Sequence, residues 1–181
     1  MIAYKGFHPG MVCIGYQFQM GLNVTEQANC RKNGFHCAED PLDCLSYYGD
    51  VDHSEYYIVN AGGDIDEDEF DSKISCTELT VLKRLTKEEL FTLGLAFMAD
   101  HPKRKWNSHV EKDKATACCG YAVVRGVDPV AQGSRKGDVL AFAKEDPVTG
   151  CIQQIVVATI DGKKLRPNEW YGADLEKRTV K

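Results

Sequence analysis

The stretch that decides our first view of the fold is residues 33–48, which reads NGFHCAEDPLDCLSYY. Phe35 begins a short apolar run of strand type. Asp40 followed by Pro41 predicts the start of a helix, because Asp is a preferred N-cap and Pro suits the first helical position. We expect a short helix that ends by Gly49 and packs its apolar side chains on a sheet.

The segments on either side of this stretch predict further strands. Residues 1–24 alternate weakly between apolar positions and glycine-containing turns, and residues 55–61 are rich in aromatic and β-branched side chains. Both patterns favour β-structure. We expect the second of these strands to end at Gly62-Gly63 and the acidic residues 64–71 to form a solvated loop.

The second half of the chain changes in texture. Thr86 and Glu89 form a capping box that predicts a second helix. Glycine and alanine recur from residue 115, which suggests a degenerate repeat, and residues 138–160 are typical of a β-hairpin. We therefore predict three parts: an α+β nucleotide-binding domain at residues 1–100, a basic linker at 101–114, and a β-rich module for oligomerisation at 115–181.

Composition limits the classes of function. With 181 residues, of which 43% are hydrophobic, the chain can bury one substantial core. A formal charge of -5 provides no basic field for non-specific binding to nucleic acids. The N-terminal residues lack a signal-peptide core and no apolar run has the ~18 residues of a membrane span, so we expect a cytoplasmic protein with reduced cysteines and no membrane contact.

We expect no bound metal. Asp64, Asp66 and Asp68 imitate the start of a calcium loop, but Glu69 stands where that loop requires glycine and Ser75 where it requires glutamate. The spacing of the cysteines near His36 matches no paired zinc-ligand pattern.

Three short segments carry the residue types that a nucleotide site needs. A lysine can neutralise a phosphate, a glycine lets the backbone approach a ligand, a histidine can form a hydrogen bond, and tyrosine rings can stack on a base. The candidate ligand-binding residues are Tyr4, Lys5, Gly6, Phe7, Gly34, Phe35, His36, Tyr47 and Tyr48.

The order of these segments resembles the NAD-binding core of ADP-ribosyltransferases. The resemblance implies a split β-sheet with two helices, in which Lys5-Gly6 takes the place of the Arg-Gly or His-Gly that holds the cofactor. It also implies a catalytic glutamate, for which Glu78 or Glu69 are the local candidates. No Gln-x-Glu or Glu-x-Glu pair heads a strand here, and this departure favours binding over transfer.

Nearly the whole chain also resembles a group of uncharacterised bacteriophage and prophage proteins. The shared features are the opening Tyr4-Lys5-Gly6-Phe7, the Gly-Phe-His segment followed by Pro-Leu-Asp and Tyr-Tyr, the glycine- and alanine-rich repeat, and the ending at residues 161–171. This resemblance implies a phage origin and action in the cytoplasm of a bacterial host.

We therefore expect a phage accessory protein that binds an NAD-derived, ADP-ribose-like or cyclic nucleotide ligand, as a homo-oligomer that sequesters a bacterial immune signal. A first alternative is a mono-ADP-ribosyltransferase acting on a host protein, with Glu78 as its catalytic carboxylate. A second alternative is a structural or virion-associated protein without a small-molecule ligand.

Overall fold

The computed structural model describes residues 1–30, 32–67 and 72–180. Its internal contacts divide the chain into two compact units, Met1–Thr86 and Lys87–Lys181. Each unit has its own apolar core, and we describe the two separately.

Seven strands and one short 3-10 helix make up the described part of the first unit. They are β1 (Ile2–Phe7), β2 (Val12–Cys13), β3 (Tyr16–Gln17), β4 (Gly21–Val24), β5 (Phe35–Ala38), the 3-10 helix (Pro41–Ser46), β6 (Glu55–Glu67) and β7 (Lys73–Leu85). The main sheet has the order β4-β7-β5-β1-β6, and β7 also pairs with β6. All of these pairs are antiparallel. Because β7 pairs with β6 as well as with β5, the strands β7, β5, β1 and β6 form a closed sheet with an interior.

Alternation along the strands fills this interior. On β1, Ala3 and Phe7 are fully buried and pack with side chains from β5, β6 and β7. The interior core consists of Ala3, Phe7, Phe18, Phe35, Cys37, Tyr57, Val59, Ala61, Ile74, Cys76, Leu79 and Val81. Since successive side chains of a strand point to opposite faces, the strand residues directly next to these positions in sequence lie on the outside of the sheet.

The prediction of an α+β N-terminal split sheet with two helices, similar to ADP-ribosyltransferases, is wrong. The protein is β-rich, and the 3-10 helix is the one helix among the described residues of the first unit. The longer helix, α1 (Lys87–Asp100), belongs to the second unit, although the sequence analysis assigned it to the first domain. β7 pairs both with β6, its neighbour in sequence, and with the more distant β5, and these pairings close the sheet that the prediction left open.

Part of that error comes from the glycine pair at positions 62 and 63. We expected the strand to end there, but β6 continues to Glu67. Gly63 adopts a φ of 68°, and the pairing with β7 shifts between Gly62 and Ile65. The pair therefore forms a bulge, which bends the strand without ending it. Residues 68–71 lie outside the described residues, and with them the predicted roles of Asp68 and Glu69.

The predicted start of the short helix is confirmed. The Asp40 carboxylate accepts a 2.9 Å hydrogen bond from the backbone N–H of Leu42, and Pro41 occupies the first helical position. The backbone N–H of Asp40 in turn donates a 2.9 Å hydrogen bond to Oγ of Ser72 at the edge of β7. This contact fixes the helix against the outside of the sheet.

The second unit contains α1 and a six-stranded sheet. Its strands are β8 (Glu111–Thr116), β9 (Tyr121–Gln132), β10 (Val139–Glu145), β11 (Ile152–Thr159), β12 (Trp170–Gly172) and β13 (Lys177–Arg178). The β8–β9 and β9–β10 pairs are parallel, and β10 and β11 form the predicted antiparallel hairpin. One core of this unit consists of Ala115, Ala122, Val124, Ala131, Leu140, Phe142, Ile160, Leu165, Tyr171 and Ala173.

The basic segment predicted as a linker packs within the second unit. The ring of Trp106 lies under the Arg125 guanidinium at 4.3 Å, and Arg104 lies over the Phe97 ring at 5.4 Å.

Neither helix in the described part of the chain is long and apolar enough to cross a membrane.

Candidate functional site

The predicted ligand residues of the first strand lie on two sides of the closed sheet. Lys5 and Phe7 share the inward face of β1, where both are at least nine-tenths buried. Tyr4 and Gly6 alternate with them and therefore face outwards, towards the short helix. The sequence brings these residues together along the chain, but the sheet separates their side chains.

Lys5 is 4% exposed, and several groups surround its ammonium. Nζ donates a 2.6 Å hydrogen bond to the backbone carbonyl of His36 and lies 3.7 Å from Sγ of Cys13. Nζ also lies 5.2 Å from the centroid of the Phe7 ring and 5.1 Å from the centroid of the Phe18 ring. At such distances the face of an aromatic ring attracts a cation. Lys5 therefore contributes charge from the interior, while its side chain is shielded from solvent.

Tyr48 contacts both Cys13 and Gly6. Its hydroxyl donates a 3.0 Å hydrogen bond to Sγ of Cys13, and its backbone carbonyl accepts a hydrogen bond from the Tyr56 hydroxyl. Burial, followed by the hydrogen bond to Cys13, raises the pKa of the Tyr48 phenol, which keeps this donor protonated. The ring packs directly on Gly6, where an added methyl carbon would lie 2.8 Å from Cγ of Tyr48. Close approach of a side chain, and not of a ligand, thus explains this glycine.

His36 lies half-buried on the outer face of β5. Burial lowers the pKa of its imidazole to about 4, and the positive charges of Lys73 and Lys5 act in the same direction. The ring is therefore neutral at pH 7 and has one nitrogen donor and one acceptor. An anion bound beside the ring would raise the pKa of His36 and so oppose the effect of the two lysine charges.

Lys73 and Tyr47 complete this outer surface. Nζ of Lys73 donates a 2.8 Å hydrogen bond to the Tyr47 hydroxyl and lies 4.1 Å from the centroid of the Tyr47 ring. Tyr47 is 60% exposed, so its ring is accessible from solvent. We refer to His36, Tyr47 and Lys73 as the outer-face cluster.

Sequence reasoning missed Lys73 and Cys13. Lys73 precedes Ile74 and Cys76, two inward residues of β7, so alternation alone places it on the outside. Its position near His36 follows only from the pairing of β5 with β7, in which Ala38 lies opposite Lys73 and His36 opposite Ser75. That pairing is not visible in a single sequence.

The remaining predicted ligand residues have packing or backbone roles in the fold. Tyr4 is partly buried on the outer side of β1, and burial followed by the nearby Cys44 raises the pKa of its phenol. Gly34 adopts a φ of 87°, which glycine tolerates, and Phe35 packs in the interior 4.8 Å from the Phe18 ring. These three residues support the fold around the outer-face cluster.

Glu78, the predicted catalytic carboxylate, is exposed on β7. It lies opposite Val24 of β4 and Gly62 of β6, three positions after Ser75, the residue paired with His36. Its catalytic role stays a prediction.

Comparison with known proteins places this arrangement in a family. A family model matches residues 1–93, which include the whole first unit and the first half of α1. The chain belongs to the DUF7666 family, described as a domain of unknown function. No curated protein and no solved structure matches the chain.

The DUF7666 match contains the outer-face cluster, Lys5 and Cys13. It agrees with the expectation that the chain belongs to a family without an assigned activity. A phage origin stays a prediction.

Proposed function

We propose that the DUF7666 domain of this protein binds a small anionic ligand of the nucleotide class on the outer-face cluster. The observation that carries the proposal is the placement of neutral His36 in the field of two ammonium groups, those of Lys73 and Lys5, beside the exposed ring of Tyr47. The three properties that a nucleotide phosphate and base require, namely positive charge, a hydrogen-bonding group and an aromatic face, occur together here.

Electrostatics supports an anionic ligand. The chain carries a formal charge of -5, so a local positive region would attract an anion against the overall field. Lys73 supplies the charge at the surface, and Lys5 adds to it from behind the sheet. A phosphate beside His36 would favour the protonated imidazole, which would then form a charge-assisted hydrogen bond.

The exposed Tyr47 ring supports a ligand with an aromatic base. Stacking of a base on such a ring stabilises a complex by ~1–3 kcal/mol. The hydrogen bond from Lys73 to the Tyr47 hydroxyl holds the ring in a defined orientation. A ring that is already ordered loses less conformational entropy on binding.

Binding without turnover is the form of this function that we favour. An ADP-ribose derivative or a cyclic nucleotide would satisfy the cluster, and a phage-encoded binder of such a molecule would sequester a bacterial immune signal. Lys73 takes over the phosphate-binding role that the sequence analysis assigned to Lys5.

The test is a binding measurement by calorimetry with ADP-ribose, NAD, cyclic ADP-ribose isomers and cyclic dinucleotides. We expect one of these ligands to bind, and we expect Lys73→Ala and Tyr47→Ala each to weaken it at least tenfold. Tyr47→Phe keeps the stacking surface and should retain most of the affinity. Lys83→Ala, which removes an exposed lysine ten positions further along β7, is the matched control and should bind as the wild type does.

A thermal-shift screen provides a second measurement. A ligand at a hundred times its dissociation constant stabilises the protein by ~2.7 kcal/mol, which is a readily detected shift. Absence of a shift with every nucleotide, or an equal loss of affinity in Lys83→Ala and Lys73→Ala, would overturn the proposal.

A further inference from the structure

Two exposed thiols lie side by side in the second unit. Cys118 and Cys119 occupy the turn between β8 and β9, and both residues are exposed. Their Sγ atoms lie 3.5 Å apart. The rest of the protein's cysteines are distributed singly along the chain, so this pair alone offers adjacent thiols in the sequence.

The backbone holds this pair in place. The N–H of Cys118 donates a 3.0 Å hydrogen bond to the carbonyl of Tyr121, and the N–H of Tyr121 donates a 3.2 Å hydrogen bond back to Cys118. Cys119 and Gly120 both have positive φ values, 55° and 92°, which form a tight turn. The carbonyl of Gly120 accepts a 2.9 Å hydrogen bond from Val139 at the start of β10, so the turn is attached to the sheet.

The 3.5 Å distance between the two sulfur atoms limits the coordination geometry of an atom that could bind both of them. Bonds of about 2.3 Å from a central atom to each sulfur, as in metal–thiolate bonds, would form an angle of roughly 100° across this gap. A linear two-coordinate ion would instead need a separation of about 4.6 Å with the same bond lengths. The gap therefore suits a bent, pyramidal centre.

Tyr121 lies close to the thiols, and its hydroxyl interacts with His109. The Tyr121 hydroxyl lies 3.0 Å from Nδ1 of His109, and burial, followed by the charges of Cys119 and Cys118, raises the pKa of the phenol to about 12. In the described part of the chain, no group of three or more His, Cys, Asp or Glu side chains could hold a metal ion. The ligand set here consists of two thiols, with the third position of a pyramidal centre left to the ligand's own substituent.

We propose that Cys118 and Cys119 form a chelating site for trivalent arsenic compounds. Two thiols react with an arsenoso group, R–As=O, to give R–As(S–protein)₂ and one molecule of water. Both thiol protons leave in the water, two As–S bonds replace the As=O bond, and no oxidant or reductant is required. Soft thiolate ligands favour such thiophilic centres, and the second bond forms within the molecule at a high effective concentration.

The experiment uses the full, reduced chain and phenylarsine oxide as the probe, with detection by intact mass. We expect one tightly held adduct at one equivalent of probe, stable to excess 2-mercaptoethanol and removed by 2,3-dimercaptopropanol. Cys118→Ser and Cys119→Ser should each weaken retention at least a hundredfold. Cys151→Ser, which removes an isolated exposed thiol, should retain the adduct as the wild type does.

Both serine variants affect an exposed turn and should fold, which thermal unfolding will verify. Removal of the wild-type adduct by 2-mercaptoethanol would overturn the proposal. An adduct that survives unchanged in Cys118→Ser or Cys119→Ser would also overturn it, because other cysteines would then be the ligands.

Discussion

The Lys5 ammonium donates a 2.6 Å hydrogen bond to the backbone carbonyl of His36. The side chains of these two residues lie on opposite sides of the closed sheet, so they interact through the backbone of β5 and not by direct contact. Burial is the largest cause of the lowered His36 pKa of about 4, the charge of Lys73 is the second, and the charge of Lys5 acts in the same direction. A residue that cannot reach a ligand thus still adds to the electrostatics of the outer-face cluster.

The low pKa of His36 predicts a loss of stability in mild acid. His36 has a pKa of about 4 in the folded protein, whereas a histidine in the unfolded chain titrates near ~6.5. Between these two pH values the unfolded state therefore binds more protons than the folded state. The contribution of the neutral His36 to the free energy of unfolding is fully present above about pH 6.5 and is lost as the pH falls towards 4. Because the ring is half-exposed, solvent screening reduces the effect to about 1–2 kcal/mol.

Urea unfolding at pH 7 and pH 4.5 measures this effect, with His36→Gln as the comparison. The wild type should lose more unfolding free energy than the variant over this range. Equal losses would show that His36 does not titrate with a lowered pKa.

The contact between Gly6 and Tyr48 predicts a large effect for a small substitution. In Gly6→Ala, the new methyl carbon would lie 2.8 Å from Cγ of Tyr48, a ring whose hydroxyl is held by Cys13. Overpacking of this kind costs about 1–3 kcal/mol. Gly62→Ala is the matched control, since its nearest neighbour would lie at 3.6 Å, and its unfolding free energy should change less. Equal effects in the two variants would contradict the packing described here.

A buried ion pair predicts a sensitive position in the second unit. Nε of Arg125 lies 2.6 Å from the Glu145 carboxylate, and the two side chains are 7% and 15% exposed. Arg125→Met would leave that carboxylate without its cation, at a cost of about 3 kcal/mol. The more exposed pair of Arg178 with Asp174 is the control, and Arg178→Met should cost about 0.5 kcal/mol. Thermal unfolding compares the two, and equal shifts in the melting temperature would count against a buried role for Arg125.

Features set by neighbouring residues could be predicted from the sequence. Asp40 and Pro41 specify the start of the short helix through one side-chain hydrogen bond and one fixed φ angle. The hairpin of β10 and β11 likewise follows from the turn residues at 146–150. Closure of the first sheet could not be predicted, because it depends on pairing β7 with strands that are distant in sequence, and the bulge at Gly63 allows β6 to continue.

The candidate site was predictable only in part. His36 and Tyr47 were singled out for their chemistry, and they lie on one outer surface with Lys73. Lys5 was selected as a phosphate ligand because a lysine can neutralise a phosphate and the neighbouring Gly6 lets the backbone approach a ligand. Alternation on β1 instead directs it into the interior, and only the structure reveals the aromatic rings and the carbonyl that accommodate its charge there.

The most direct test of the anion site is an NMR titration of the His36 imidazole, with and without saturating ADP-ribose or whichever nucleotide gives the largest thermal shift. We predict a pKa of about 4 in the free protein, a clear rise in Lys73→Met because one cation is removed, and a rise of at least about one unit when the anion binds. A free-protein pKa near the ordinary value of ~6.5, or no change with any nucleotide at saturation, would contradict the account.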